Sequence, residues 1–459
     1  MIEKLKTVLL IGLIASSIVL TWQIWTYQPR YDYLLPTEYV TQEGIAERRE
    51  LQDLIQPEKI LYYFGDERIT ASSPDSVEYT NVIKQQMKNW SFTGFREVEG
   101  NQRQWNDLRT RYEAIEFAFP TNLPLSTLGE LFTLNTGDTQ YSDVGSMFLY
   151  INPVMDNVFA FFINYDEQRF LRSNTSINSS ELRQYLALGE NKPEQTAILL
   201  YDNPDPNQLD QYIYVTDEPV EMTEYHYFFR RIQIDTLISY LFVDPLLVRQ
   251  IQDRSGEVFY TDGTRGLQLA SGLTMNYVHP LAITQREGDA SDNQFIQRAT
   301  QFVNQHRGWE RGYYLYNYHN PNAYEASIEF RRYMNQYPVF SDHPDEEQNV
   351  IQLDIQDGRV VSYYRSLLQL DSVMDDRRRE LPSGLQMIEE LERLEIPLEE
   401  VEDMFLGYAY TYNDNSISYR PRWIIEWKNG QRSFIRQVED LYPLSRIQEE
   451  LEEGNNELE

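Results

Sequence analysis

Residues 7–25 read TVLLIGLIASSIVLTWQIW and carry no charged side chain. About nineteen residues make a helix roughly 28 Å long, the thickness of a bilayer's hydrocarbon core. Everything after this run is polar and long. It therefore predicts one membrane-spanning helix with a large folded region on one side. Lys4 and Lys6 precede it and place the N-terminus in the cytoplasm. Residues 27–459 are then extracytoplasmic. A cleaved signal peptide needs a small-residue cleavage site after a shorter apolar core. Here Ala15, Ser16 and Ser17 lie mid-segment. The segment closes on Trp22, Trp25 and Tyr27, which suit the headgroup layer. The chain has no cysteine, so lipoprotein processing is excluded. The expectation is an uncleaved signal-anchor, with a cleaved signal as the alternative.

Gly12, Ser16, Val19 and Gln23 recur at helical spacing and form one stripe of this helix. Gly12 and Ser16 make a small-xxx-small pair, which lets two helix backbones approach closely. Gln23 can hydrogen-bond across helices near the outer interface. The alternative is that the small residues are merely tolerated and that Gln23 reaches interfacial water.

The chain's 459 residues are 41% hydrophobic and include 34 tyrosines, ample for packed cores and contrary to disorder. Their number exceeds one average domain. The absence of cysteine removes disulfides and cysteine-based metal sites. The net charge of −32 opposes binding to nucleic acid or to anionic lipid surfaces. Most of the carboxylates are expected to form a solvated surface.

The pattern predicts an α+β fold of antiparallel sheets packed with helices, divided as 1–29, 30–190, 191–290 and 291–459. In the first exterior region, strands are expected at 60–64, 92–98, 114–119, 146–151 and 157–164. Helices are expected after Ser73-Pro74, with Tyr79, Val82, Ile83, Met87 and Trp90 inward, and at 104–112. The central region offers strands at 196–201 and 212–215, an extended stretch at 225–234, helices at 235–242 and 245–251, and a turn at Asp262-Gly263. The breaks fall at 189–193 (GENKP) and 285–293 (QREGDASDN). In the last region Phe295, Ile296, Ala299, Phe302 and Val303 form a helical stripe. Hairpins turn at Asp357-Gly358 and Asn429-Gly430, strands 405–412 and 416–427 pair, and 382–394 is helical.

No metal, nucleophile or phosphate-loop motif is present, and no cofactor or metal is expected. His226, His279, His306, His319 and His343 have no ligand spacing. Asn203, Asp205 and Asn207 alternate as in a calcium loop, but Gln208 and Tyr214 stand where that loop needs Gly and Glu, so a plain turn is preferred. Tyr314, Tyr316 and Tyr318 share one face of an ideal strand. They offer a partner surface, or a half-buried sheet face.

The segment LFVDPLLVRQIQDRSGEVFYTDGTRGL (241–267), with FVNQHRGWERGYYLY, IEFRRYMNQYPVF and YRPRWIIEWKNGQ further on, resembles the YycH family. These are regulators of the YycG/YycF (WalK/WalR) two-component system of low-GC Gram-positive bacteria. The resemblance runs over nearly the whole chain and carries no catalytic motif. It implies three domains on one anchor, the last related to YycI. It implies a YycI-like partner and a YycG/WalK-type sensor histidine kinase, contacted largely through membrane helices, and control of cell-wall genes. It implies no enzyme activity. A cell-wall hydrolase, or a passive protein holding a wall fragment between the first two domains, is the alternative.

Overall fold

The computed structural model describes residues 6, 16–17, 48–73, 79–99, 102–136, 143–205, 208–252, 257–270, 273–280, 293–341, 347–413 and 415–441. The chain divides into two units, Met1–Gly44 and Ile45–Glu459. In the first, Lys6, Ser16 and Ser17 are helical, and they are exposed. The rest of the expected anchor, with Gly12, Val19, Trp22, Gln23, Trp25 and Tyr27, lies outside the described residues. Among the described residues no helix is long and apolar enough to cross a membrane.

The second unit is mixed α+β and rich in sheet. Its first sheet holds β1 (Lys59–Phe64), β2 (Ile69–Ser72), β3 (Ser91–Val98), β4 (Glu113–Pro124), β5 (Thr133–Asn135), β6 (Asp143–Asn152), β7 (Asn157–Asn164) and β8 (Arg169–Asn178). Their order is β2-β1-β4-β6-β7-β8-β3-β5, antiparallel except where β5 joins β3. Both faces are covered, so β1 reads as a continuous apolar run, KILYYF. Ile60 and Tyr62 face a core that includes α2 (Ser179–Ala187) through Leu182 and Tyr185. Leu61 and Tyr63 face the other way, into a cluster with Trp105 of α1 (Gln102–Arg111). The expected helix after Ser73 is broken into a π turn, Tyr79–Ile83, and one α turn, Lys84–Met87. Tyr79, Ile83, Met87 and Trp90 are buried as expected, but Val82 is 39% exposed.

A two-stranded ribbon follows, β9 (Gln195–Tyr201) with β10 (Gln211–Thr216). The remaining strands are β11 (Val220–Arg231), β12 (Arg249–Gln252), β13 (Val258–Thr261), β14 (Gly266–Ala270), β15 (Thr274–Val278), β16 (Tyr313–Asn322), β17 (Glu325–Met334), β18 (Tyr337–Ser341), β19 (Val350–Gln356), β20 (Arg359–Ser366), β21 (Leu368–Leu381), β22 (Val401–Tyr412), β23 (Ser416–Trp427) and β24 (Arg432–Ile435). They form one continuous hydrogen-bonded path, β12-β13-β14-β15-β20-β19-β17-β18-β22-β23-β11-β21, with β16 on β17 and β24 on β23. Its helices are α3 (Ile234–Leu241), α4 (Asn293–Gln305) and α5 (Gly384–Arg393). Across the boundary expected at 285–293, strands of the two sides share ladders: β15 pairs β20, and β11 lies between β21 and β23.

α4 buries Phe295, Ile296, Ala299 and Val303 in one core with Ile328, Ile351 and Tyr363 of the sheet beneath it. α5 begins at a capping box, Ser383 with Gln386, and buries Met387, Ile388 and Leu391. Asp357 and Gly358 have φ of 47° and 77°, the left-handed pair that a tight hairpin requires. Two further elements differ from expectation. Residues 245–251 are not helical: Asp244 caps a single 3₁₀ turn, Pro245–Leu247, and the chain then extends into β12, which pairs with β13. Strand β21 runs through DSVMDDRRRE, where charge conceals the strand pattern; it is the sheet's edge, where exposed charge is usual.

Candidate functional site

A cleft of about 580 Å³ lies between the α1 face of the first sheet, the β9–β10 ribbon and β22. On its sheet side Glu116 of β4 is buried. Register explains why: Glu116 pairs with Leu61 and Phe148, so its side chain shares their face. Three hydroxyls replace water around it. Tyr63 donates to Oε2 at 2.7 Å, and Ser146 and Tyr165 donate to Oε1 at 2.6 and 2.8 Å. The Tyr63 hydroxyl also reaches Tyr214 of the ribbon at 3.0 Å, tying β10 to the sheet. Burial, reinforced by the Glu116 charge, holds Tyr63 and Tyr165 well above the ordinary phenol range.

Arg109 lines the same cleft from the last turn of α1. It is 7% exposed, and its guanidinium carbon lies 4.5 Å from the Tyr212 ring centre and 5.2 Å from that of Tyr214. Its Nε has no hydrogen-bond partner, but the Tyr214 side chain hydrogen-bonds the guanidinium and the Glu116 charge acts on it, so that despite burial it is held above its ordinary value. The lining also holds Glu58, just before β1, and Glu402 and Asp403 of β22. Burial first, then the Asp403 charge, raises the Glu58 carboxyl to about 7. Glu402 is also raised, by burial and by Asp166 and Asp403, against the opposing pull of Lys428. Lys59 donates to the Tyr214 carbonyl at 3.3 Å.

A larger cleft of about 1200 Å³ is lined by cations, including Arg49, Arg230 and Arg332. These are engaged within the fold: Arg49 with the Asp53 carbonyl at 2.7 Å, Arg230 with Asp371 at 2.8 Å and Arg332 with Glu310 at 2.6 Å.

The three tyrosines expected on one face are separated. The β16–β17 register shifts between Leu315 and Asn317, leaving Tyr316 in a bulge. Tyr318 is thereby turned to the Leu315 side and is 6% exposed in the core. Tyr314 and Tyr316 stay on the other side. Tyr314 packs edge-on to Tyr333 at 5.6 Å, and Tyr316 edge-on to Phe340 at 5.7 Å beneath the Arg331 guanidinium. Of the histidines, His306 lies half-buried just past the end of α4, bonded through Nδ1 to the Phe302 carbonyl at 2.7 Å and pushed down to about 4 by desolvation. In the 203–210 stretch, where Asn207 lies outside the described residues, Asn203 Nδ2 donates to Gln208 at 2.9 Å and Asp210 accepts from the Asn203 amide at 3.0 Å.

Sequence patterning did not single out Glu116, Arg109 or Glu58. In EAIEFAF the alternation puts Glu116 with Ala114 and Ala118, opposite Ile115 and Phe117, which reads as a solvent face. The structure covers that face with α1 and the ribbon.

The family model described as YycH protein, N-terminal domain, matches residues 3–186, and that described as YycH protein, C-terminal domain, matches residues 210–437. The chain is similar to the two-component system WalR/WalK regulatory protein YycH of Bacillus subtilis (strain 168), with 19% identity over 443 residues, covering 92% of this chain and 94% of that protein. In structure it is similar to the crystal structure of YycH from Bacillus subtilis, with a TM-score of 0.67 and 15% identity over 86% of this chain and 99% of that one. At that identity the structural likeness speaks for the fold. The cleft sits at the seam of the two matched segments: α1 and β4 belong to the first, β9 lies between them and β22 belongs to the second. With both segments matched along most of its length, this chain belongs to the YycH family.

Proposed function

We propose that this chain is a membrane-anchored, extracytoplasmic regulator of a WalK/YycG-type sensor histidine kinase that governs cell-wall metabolism. It acts with a YycI-like partner through transmembrane and exterior contacts, on a single signal-anchor with its N-terminus in the cytoplasm. The exterior part is organised as the segments 30–190, 191–290 and 291–459. The observation that carries the regulatory role is the similarity to the WalR/WalK regulatory protein YycH over 92% of the chain. The apolar run at 7–25 supports the anchor. The test is kinase-dependent gene expression in cells lacking the chain and in cells re-supplied with it, with a membrane pull-down of the full-length protein. Altered output on deletion, restoration on re-supply, and co-purification of a sensor kinase and a second single-pass protein are expected. Unchanged output with neither partner recovered would end this proposal.

A wall hydrolase is the second reading, because Glu58 titrates near neutrality beside Asp403, as general acids do. Turnover of purified peptidoglycan by the full chain, abolished in Glu58→Gln, would replace a purely regulatory role with an enzymatic one.

A further inference from the structure

The stretch between α3 and β13 carries apolar side chains that the fold leaves outside. Leu246 is 93% exposed, and Val243, Leu247 and Ile251 are each more than half exposed. A single exposed leucine is ordinary, but four large apolar side chains on one short stretch of surface mark a contact site.

These residues are not on a free tail. Leu241 and Phe242, where α3 ends, are buried in the core. Arg265 braces that end by donating to the Leu241 carbonyl at 3.1 Å. Asp244 then accepts from the Leu246 amide at 2.9 Å and caps the 3₁₀ turn Pro245–Leu247. Beyond the turn, β12 is held by its ladder to β13. The stretch is fixed at both ends, so little ordering is left to oppose docking. Its backbone is also available. β12 is the last strand of the sheet path, with one rim unpaired. The strand at the other end of the path, β21, is guarded by DDRRRE, whereas β12 (RQIQ) carries one charge, Arg249.

We propose that residues 243–251 form the contact between two copies of this chain across a two-fold axis. The sequence D-P-L-L-V-R (244–249) is its own complement when turned end for end. Asp244 and Arg249 stand at equal spacing on either side of the leucine pair. Across a two-fold axis the leucines of one copy meet the leucines of the other, and each Asp244 faces the other copy's Arg249. Ile251 comes toward the Val243 end of the opposite segment. Contacts of this symmetry require a self-complementary patch. A different partner would need an apolar surface, but not an acid and a base placed symmetrically about it. The patch is small, and interfaces below about 1,200 Å² are weak and transient. The anchor proposed above holds copies in one plane, which raises their effective concentration.

The test is sedimentation velocity of the full chain in detergent micelles over a concentration series. A concentration-dependent dimer is expected. Every substitution occurs twice in a symmetric dimer. Asp244→Arg or Arg249→Asp alone sets like charges against each other at both ends and should weaken the dimer by about tenfold or more. The two together should restore it, and Leu246→Asp should abolish it. None of these changes touches residues 7–25, so this contact is separable from helix packing in the membrane. The chain has no cysteine, so Leu246→Cys treated with a short bis-maleimide should give a product of twice the chain's mass. Tyr324→Cys, exposed elsewhere, should not. All the substituted positions are exposed, and thermal unfolding establishes that each variant is folded. A monomer at every concentration, a dimer indifferent to the single reversals, or a double reversal that fails to restore it overturns the proposal. A crosslink in cells to a protein of different mass, with no self-product, also overturns it and gives the surface to another partner. Association is read on the isolated chain and kinase output in cells, so failure here is distinguishable from failure of the regulatory role.

Discussion

Arg332 and Glu310 are joined by a 2.6 Å ion pair whose two side chains are only 6% and 11% exposed. The same carboxylate receives Arg365 at 3.2 Å from its other oxygen, so one acid serves two buried guanidiniums. Glu310→Gln should therefore destabilise the chain by about 3–5 kcal/mol, since removing one partner strands charge in the interior. Urea unfolding of the full chain in micelles measures it. A loss below about 1 kcal/mol would mean that water already reaches the pair.

Glu58 makes stability pH-dependent with a definite sign. Its folded carboxyl titrates near 7, above its ordinary value of 4.5. The folded state thus binds more protons than the unfolded state between those values, and stability falls as pH rises through that window. Glu58→Gln removes the charge for good. The variant's melting temperature should match the parent near pH 5 and exceed it at pH 8. His306 has the opposite sign: lowered to about 4 from 6.5, it withdraws stability as pH falls below 6.5. A melting-temperature difference between Glu58→Gln and parent that does not grow with pH would show that Glu58 is solvated in the native state.

The membrane stripe should matter through packing. Gly12→Leu with Ser16→Leu keeps the segment apolar but holds neighbouring backbones apart. Interhelical contacts of this kind are worth on the order of 0.6–2 kcal/mol, and about 1.4 kcal/mol is tenfold in association. Kinase-dependent expression should shift in the double variant, while Leu13→Ile with Leu20→Ile should leave it unchanged. Wild-type output from Gly12→Leu/Ser16→Leu at equal membrane levels would assign regulation to the exterior instead.

Cleavage within residues 281–292 should nick the chain without releasing either part. β15 remains paired with β20, and β11 with β21 and β23, across the cut. The two fragments should co-elute in size exclusion and separate only in denaturant.

Elements defined by local chemistry were legible in the sequence. α4 carries its apolar stripe within nine residues, α5 announces itself by Ser383 and Gln386, and Asp357-Gly358 names its own turn. What was not legible depends on partners distant in the chain. β8 holds Arg169, Arg172 and Asn174 yet lies inside a sheet, because Arg172 stacks on Phe159 of the neighbouring strand at 4.1 Å. The bulge at Tyr316 has no local signal either, and one inserted residue is enough to send Tyr318 to the opposite face. Arg109 and Glu116 are ordinary helix and strand residues until the ribbon closes over them.

The placement of β11 bears on how the chain is made. Tyr225 finds its partner Asp376 only after β21 has been synthesised, and its other partner, Tyr419, only near the end of translation. Until then one or both rims of an aromatic strand, YHYFF, are open to any passing backbone. Loop closure over such separations is slow, and open strand edges are where nascent chains aggregate. A chain that stops short of β23 is therefore not a smaller version of this protein but a sticky one, and its cellular fate should be degradation rather than partial activity.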